Sequence, residues 1–107
     1  MQLATEYFNK IRNGIKTIEC RLFDEKRKLL KIGDVIEFVN AGNEEEKIKS
    51  EIVALHKFSN FSELLDCFPI TIFGGENKEQ FLSVLKKFYS DEDEKKYGVV
   101  GIEIKLI

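Results

Sequence analysis

Leu3, Ala4, Tyr7, Phe8 and Ile11 recur at helical spacing, with Glu6, Asn9, Lys10 and Arg12 on the other side. The pattern predicts a short amphipathic helix that ends at Asn13-Gly14, where glycine takes a left-handed cap. An extended segment follows, about Lys16 to Phe23, and then the polar run Asp24-Glu25-Lys26-Arg27-Lys28. Gly33-Asp34 punctuates before a second strand, Val35 to Val39, with Asp34 stabilising the turn. A turn at Asn40-Ala41-Gly42-Asn43 and the acidic run Glu44-Glu45-Glu46 introduce a third strand, about Lys47 to Lys57. These two strands read as a hairpin with a longer loop.

Period three to four returns after residue 59. Asn60 and Glu63 have the spacing of a capping box, and Phe61, Leu64, Leu65 and Phe68 form an apolar face that Pro69 ends. Residues 70–76 read as a loop. Asn77 and Gln80 repeat the cap before a stripe of Phe81, Leu82, Leu85 and Phe88. Ser90 to Gly98 carries acids first, lysines later and a glycine last, the order a helix dipole favours. Val100, Ile102, Ile104 and Leu106 then alternate with Gly101, Glu103 and Lys105, as in a strand with one wet face. Four strands with helices in front and between the last two predict an α+β domain over 1–107. Strands of this length curl into a small, partly open barrel, and pairing of the first strand with the last would close it.

Composition narrows the class. The chain has 107 residues, of which 43% are hydrophobic and 34% charged, enough for one core and too apolar for a disordered segment. No run approaches the roughly 18–20 apolar residues of a membrane span, and residues 1–6 lack the features of a secretory signal. Cys20 and Cys67 suit a reducing compartment, so a cytoplasmic protein is expected. One histidine, His56, and no close cysteine pair make a metal site or cofactor unexpected. The net charge is −2, yet residues 1–31 hold 8 basic against 4 acidic residues. Basic charge therefore gathers around the first strand.

That strand carries the most unusual chemistry. Alternation puts Glu19 and Arg21 on one face, ~6–7 Å apart, while Ile18, Cys20 and Leu22 serve the core. Lys16 belongs formally to the opposite face, but its place at a helix-to-strand junction frees it to join them. Arg21 offers a planar fork for phosphate or for orienting Glu19. The simpler alternatives are a structural ion pair for Glu19 and Arg21 and a solvated lysine. Tyr89 and Tyr97 are candidates for stacking on a base, or for packing with a bonded hydroxyl. Glu76 and Glu79 read as helix-start carboxylates, and His56 as a surface residue.

Gly14-x-Lys16-x-x-Glu19-x-Arg21, then Lys31-Ile32-Gly33-Asp34-x-Ile36-x-Phe38, resembles the ASCH domain of the PUA-like superfamily. The ending Tyr97-Gly98-Val99-Val100-Gly101-Ile102 is similar to that of many small bacterial members. The resemblance implies a PUA-like barrel flanked by helices and a cleft beside the first motif. It also implies RNA or a modified nucleotide as the partner; together with the stacking candidates Tyr89 and Tyr97 read above, Lys16, Glu19 and Arg21 are the expected binding residues. No membrane partner and no sequence-specific DNA motif is expected. Hydrolysis is the enzymatic alternative, on acylated nucleosides or RNA, with Lys16 and Glu19 catalytic. The amidohydrolase branch carries threonine at the position of Glu19, and a carboxylate there holds an ammonium charged. A protein-interaction module that meets an acidic partner is the third class.

Overall fold

The computed structural model describes residues 1–107. Its elements are β1 (Gln2–Leu3), α1 (Thr5–Arg12), β2 (Ile18–Leu22), β3 (Val35–Asn40), β4 (Asn43–Phe58), α2 (Phe61–Asp66), α3 (Lys78–Phe88), α4 (Asp91–Tyr97) and β5 (Val99–Leu106). Short 3-10 turns occupy Arg27–Leu29 and Ile70–Phe73. The strands form one mixed sheet in the order β1-β3-β4-β5-β2, with β1 parallel to β3 and every other pair antiparallel. The sheet curls into a half-barrel, and its two edge strands approach each other. Arg21 Nη2 of β2 donates to Gln2 O of β1 at 3.0 Å across that seam.

The first long strand does pair with the last, from Ile18↔Glu103 to Leu22↔Val99. The pairing leaves β2 as an edge, so the barrel stays open between β2 and β1. The alternation along β2 sorts its side chains. Ile18, Cys20 and Leu22 join Phe61, Leu64, Phe73, Phe81 and Leu85 under α2 and α3. On the other face, Phe8 and Ile11 of α1 pack on Ile36, Phe38, Ile52, Val100, Ile102 and Ile104. Each large apolar side chain so buried contributes ~1.5–3 kcal/mol. Asn60, Asn77 and Ser90 accept the Glu63, Gln80 and Asp93 amides, capping α2, α3 and α4.

Several details differ from the sequence reading. Leu3 lies in β1 rather than on the helix, because Ala4 is extended (φ −57°, ψ 147°) and pairing with β3 is available. The hairpin between β3 and β4 has a tight Ala41-Gly42 connection, and β4 takes in the acidic run from Asn43. Asn40 Oδ1 accepts from Gly42 N at 2.9 Å, a side-chain bond that closes this turn. Residues 70–73 are a 3-10 turn that buries Phe73 completely. Phe88 is 74% exposed instead of completing the buried stripe, since it is the last residue of α3. Asp34 accepts from Lys31 N at 2.9 Å, and Cys20 is buried whereas Cys67 is exposed. No helix is long and apolar enough to cross a membrane.

Candidate functional site at the barrel seam

Between the two sheet edges and α3 lies a cleft of about 210 Å³. Gln2, Leu3 and Ala4 form one side, Glu19 to Arg21 the other, and Phe81, Val84, Leu85 and Phe88 of α3, with Tyr89 just past its end, the third. Tyr7 and Lys16 complete it. Apolar and aromatic surface predominates, with polar groups at one end.

The polar end is a continuous chain of charge. Glu19 Oε1 meets Lys16 Nζ at 3.1 Å, and Glu19 Oε2 accepts from Arg21 Nε at 2.8 Å. Lys16 Nζ also donates to Phe73 O at 2.6 Å and lies 5.4 Å and 5.6 Å from the Tyr7 and Phe81 ring centroids. The Lys16 and Glu19 side chains are only 2% and 8% exposed, so the pair is desolvated; Arg21, at 18%, keeps an edge open. A buried charge is tolerated only when paired and hydrogen-bonded, and each of these has a partner.

Position follows from local backbone. Gly14, with φ +79°, turns the chain after α1, and the Lys16 amide closes onto Lys10 O at 3.1 Å. This junction frees Lys16 from the strand's alternation and sends its side chain to the 3-10 turn. Gly74 (φ +90°) ends that turn, and a Cβ there would lie 3.1 Å from Lys16 Cδ and 3.3 Å from Tyr7 Cδ1. Lys10 Nζ ties the Gly74 carbonyl back to α1 at 2.7 Å.

The electrostatics reflect the burial. Desolvation pushes the Glu19 carboxyl upward, but the Lys16 and Arg21 cations outweigh it and hold the group below its ordinary value. Desolvation works against the Arg21 cation too, and Glu19 with the neighbouring Tyr89 hydroxyl more than offsets it. Burial raises the Cys20 thiol to about 12, which leaves it an unreactive core residue. Tyr7 is raised by burial, then by Glu6 and Glu19.

The structure thus brings Lys16, Glu19, Arg21 and Tyr89 to one hollow. Tyr97 stands elsewhere, on a second depression with Lys57 and Lys95. Glu79 lies in the first turn of α3, Glu76 lines a separate small cavity, and His56 Nε2 is 2.9 Å from Glu103 Oε1 away from the cleft. Sequence reasoning missed Tyr7, Phe81 and Phe88 as cleft walls, and the carbonyls of Gln2 and Phe73. A backbone carbonyl leaves no trace in side-chain identity. Phe88 was legible only as one more apolar residue in a helical stripe. No group of metal-ligating side chains forms a cation site.

A mixed half-barrel with helices on both sides and a polar cluster at its open seam defines an α+β protein of PUA-like architecture. The chain belongs to the ASCH domain family, whose sequence profile matches residues 1–107. Membership supports an RNA-binding role at the level of the family. The fold is similar to that of the hypothetical protein PH0355, with 38% identity and a TM-score of 0.85 over 100% of this chain and 96% of that one. It is also similar to protein PF0455 from Pyrococcus furiosus, with 34% identity and a TM-score of 0.74 over 100% and 98% of the two chains. No match is found among curated proteins.

Proposed function

We propose that this chain binds RNA or a modified nucleotide by admitting a single unpaired base to the seam cleft. One observation carries the reading: an apolar hollow of about 210 Å³ with an exposed aromatic, Phe88, at its rim and a partly open guanidinium, Arg21, at its polar end. Ligand pockets for drug-sized molecules begin at ~300 Å³, so this volume suits one ring system rather than a whole nucleotide. Phe88 and Tyr89 offer stacking surface. Arg21 spends one donor on Glu19 and one on Gln2 O, and its remaining N–H groups suit a base carbonyl or phosphate oxygen. Glu19 then holds Arg21 in its plane, while Lys16 braces Glu19 from below.

Binding is favoured over hydrolysis by the way Lys16 is engaged. A general base or nucleophile needs a free lone pair, and Lys16 Nζ is committed as a donor to Phe73 O and as an ion partner to Glu19. The test titrates uridine, N4-acetylcytidine and a short single-stranded RNA against the wild type and Phe88→Ala, with hydrolysis followed in parallel. The expected result is saturable binding without turnover. Phe88→Ala should then weaken affinity about 10- to 100-fold, the equivalent of ~1–3 kcal/mol of stacking. Unchanged affinity in Phe88→Ala would remove the base-stacking reading. Turnover that Lys16→Met abolishes while affinity persists would replace binding with catalysis.

A further inference from the structure

We propose that the broad depression between the end of β4, the start of α2 and α4 is a phosphate track for the same RNA strand whose base enters the seam cleft. The proposal rests on the base-binding reading and extends it to a second surface. This depression measures about 970 Å³ and is lined by Lys57, Lys86, Lys95 and Lys96 against only two carboxylates, Asp91 and Glu94. The excess is positive in a chain whose net charge is −2.

Both carboxylates are already taken. Glu94 is buried and accepts from Phe61 N at 2.8 Å and from Lys86 Nζ, and Asp91 pairs with the same lysine. Lys86 alone serves both, so Lys57, Lys95 and Lys96 form no ion pair, and four lysines against two carboxylates leave the lining an excess of two positive charges. Lys57 lies over the Phe23 ring at 4.8 Å and Lys96 over the Tyr97 ring at 5.1 Å. Such contacts hold an ammonium in place while its charge stays available. Lysine is a point cation suited to phosphate oxygens rather than to planar recognition.

The depression and the cleft are separate hollows that share no lining residue, and the end of α3 contributes to both. The last turns of α3 present Val84, Leu85 and Phe88 to the cleft, followed by Tyr89, and Lys86 from the same helix lines the lysine surface. The Tyr89 ring stands 5.3 Å from that of Phe61, the first residue of α2 on the far side. A helix is only ~10–12 Å across, so a strand of a few nucleotides spans this ridge. Base stacking on one slope and phosphate pairing on the other is the arrangement that single-strand binders use.

The experiment measures binding of 5′-labelled octauridylate over a salt series, for the wild type, a Lys57→Gln/Lys95→Gln/Lys96→Gln variant and Phe88→Ala. Thermal melts verify folding, and the corresponding triple arginine variant serves as rescue. Each phosphate contact contributes ~0.7 to the log–log salt slope for single strands, so the glutamine variant should lose about 2 from the slope. Its affinity for free uridine should not change, and arginine should restore the slope. An unchanged slope in the glutamine variant, or no binding of octauridylate by the wild type, overturns the track. If the glutamine variant loses slope but Phe88→Ala binds octauridylate like the wild type, the track stands and the base-stacking cleft falls.

Discussion

Glu19 lies between two cations, whereas Lys86 lies between two carboxylates. The two clusters are near mirror images in charge, and the fold places them on opposite slopes of α3. Their solvent exposure separates them. Lys16, Glu19 and Arg21 have side chains 2%, 8% and 18% exposed, while in the second cluster only Glu94 is buried and Lys86 and Asp91 stand 37% and 79% exposed. A desolvated network is costly if any member is removed, because the partner left behind has neither water nor a counter-charge. An exposed arm is screened and replaceable. The first cluster therefore has its geometry fixed, which suits a recognition site; the second fastens α3 and α4 to the start of α2.

The largest expected effect comes from removing the central carboxylate at the seam. Glu19→Ala leaves Lys16 buried without its counter-charge and frees Arg21 from its anchor, and it should cost about 3–5 kcal/mol in urea unfolding. A loss below about 1 kcal/mol would mean that water reaches Lys16, contrary to its burial. The corresponding change in the other cluster, Glu94→Ala, removes the acceptor of the Phe61 amide. It should cost about 1–3 kcal/mol, the penalty of an unsatisfied buried donor, whereas Glu94→Gln, which keeps the acceptor, should recover most of that. If glutamine were no better than alanine, the ion pair from Lys86 and not the Phe61 amide bond would be what Glu94 contributes to stability.

The contrast between these clusters was only half readable from the sequence. Strand alternation puts Glu19 beside Arg21, and the caps at Asn60 and Asn77, with the charge order from Ser90 to Gly98, mark where three helices begin. Lys16 was assignable to the group only by allowing a junction residue to leave the alternation, and its bond to Phe73 O depends on a 3-10 turn 57 residues away. Glu94 read as one of four acids serving a helix dipole, yet it is the one that turns inward to reach Phe61 N. Position within α4 does not distinguish it from Glu92 or Asp93; only the packing of α4 against α2 does. Phe88 carried the opposite error, because an apolar stripe has no marker for where the helix outruns its core.

Acid provides a gentler way to separate the two clusters. Native Glu19 sits below its ordinary value, so its contribution is fully present above about pH 4.5 and is lost as pH falls toward the depressed native value. Asp91 is lowered as well, through its hydrogen bond and ion pair with Lys86, but on the surface. Melting temperature should therefore fall on acidification below pH ~4.5. About 1 M salt, with a screening length of ~3 Å, should erase the Asp91 part and leave that of buried Glu19. Glu19→Gln should flatten the residual high-salt slope. A slope equally steep in that variant would assign the acid sensitivity to other carboxylates.

The smallest expected effect tests the surface arm itself. Lys86→Met keeps the methylene packing on α3 and removes the charge that Asp91 and Glu94 share. Glu94 loses its counter-charge but keeps the bond from Phe61 N at the positive end of α2. Because Lys86 is 37% exposed, water reaches the gap it leaves, and Asp91 is free to hydrate, so neither carboxylate is stranded in the way Lys16 would be. The loss should be under about 1 kcal/mol, should shrink further as salt rises, and should leave binding of free uridine unchanged. A cost matching that of Glu19→Ala would mean that Glu94 needs a counter-charge as strictly as Lys16 does. The distinction between a seam network fixed by burial and a surface clasp would then fail, since both clusters would depend on complete pairing.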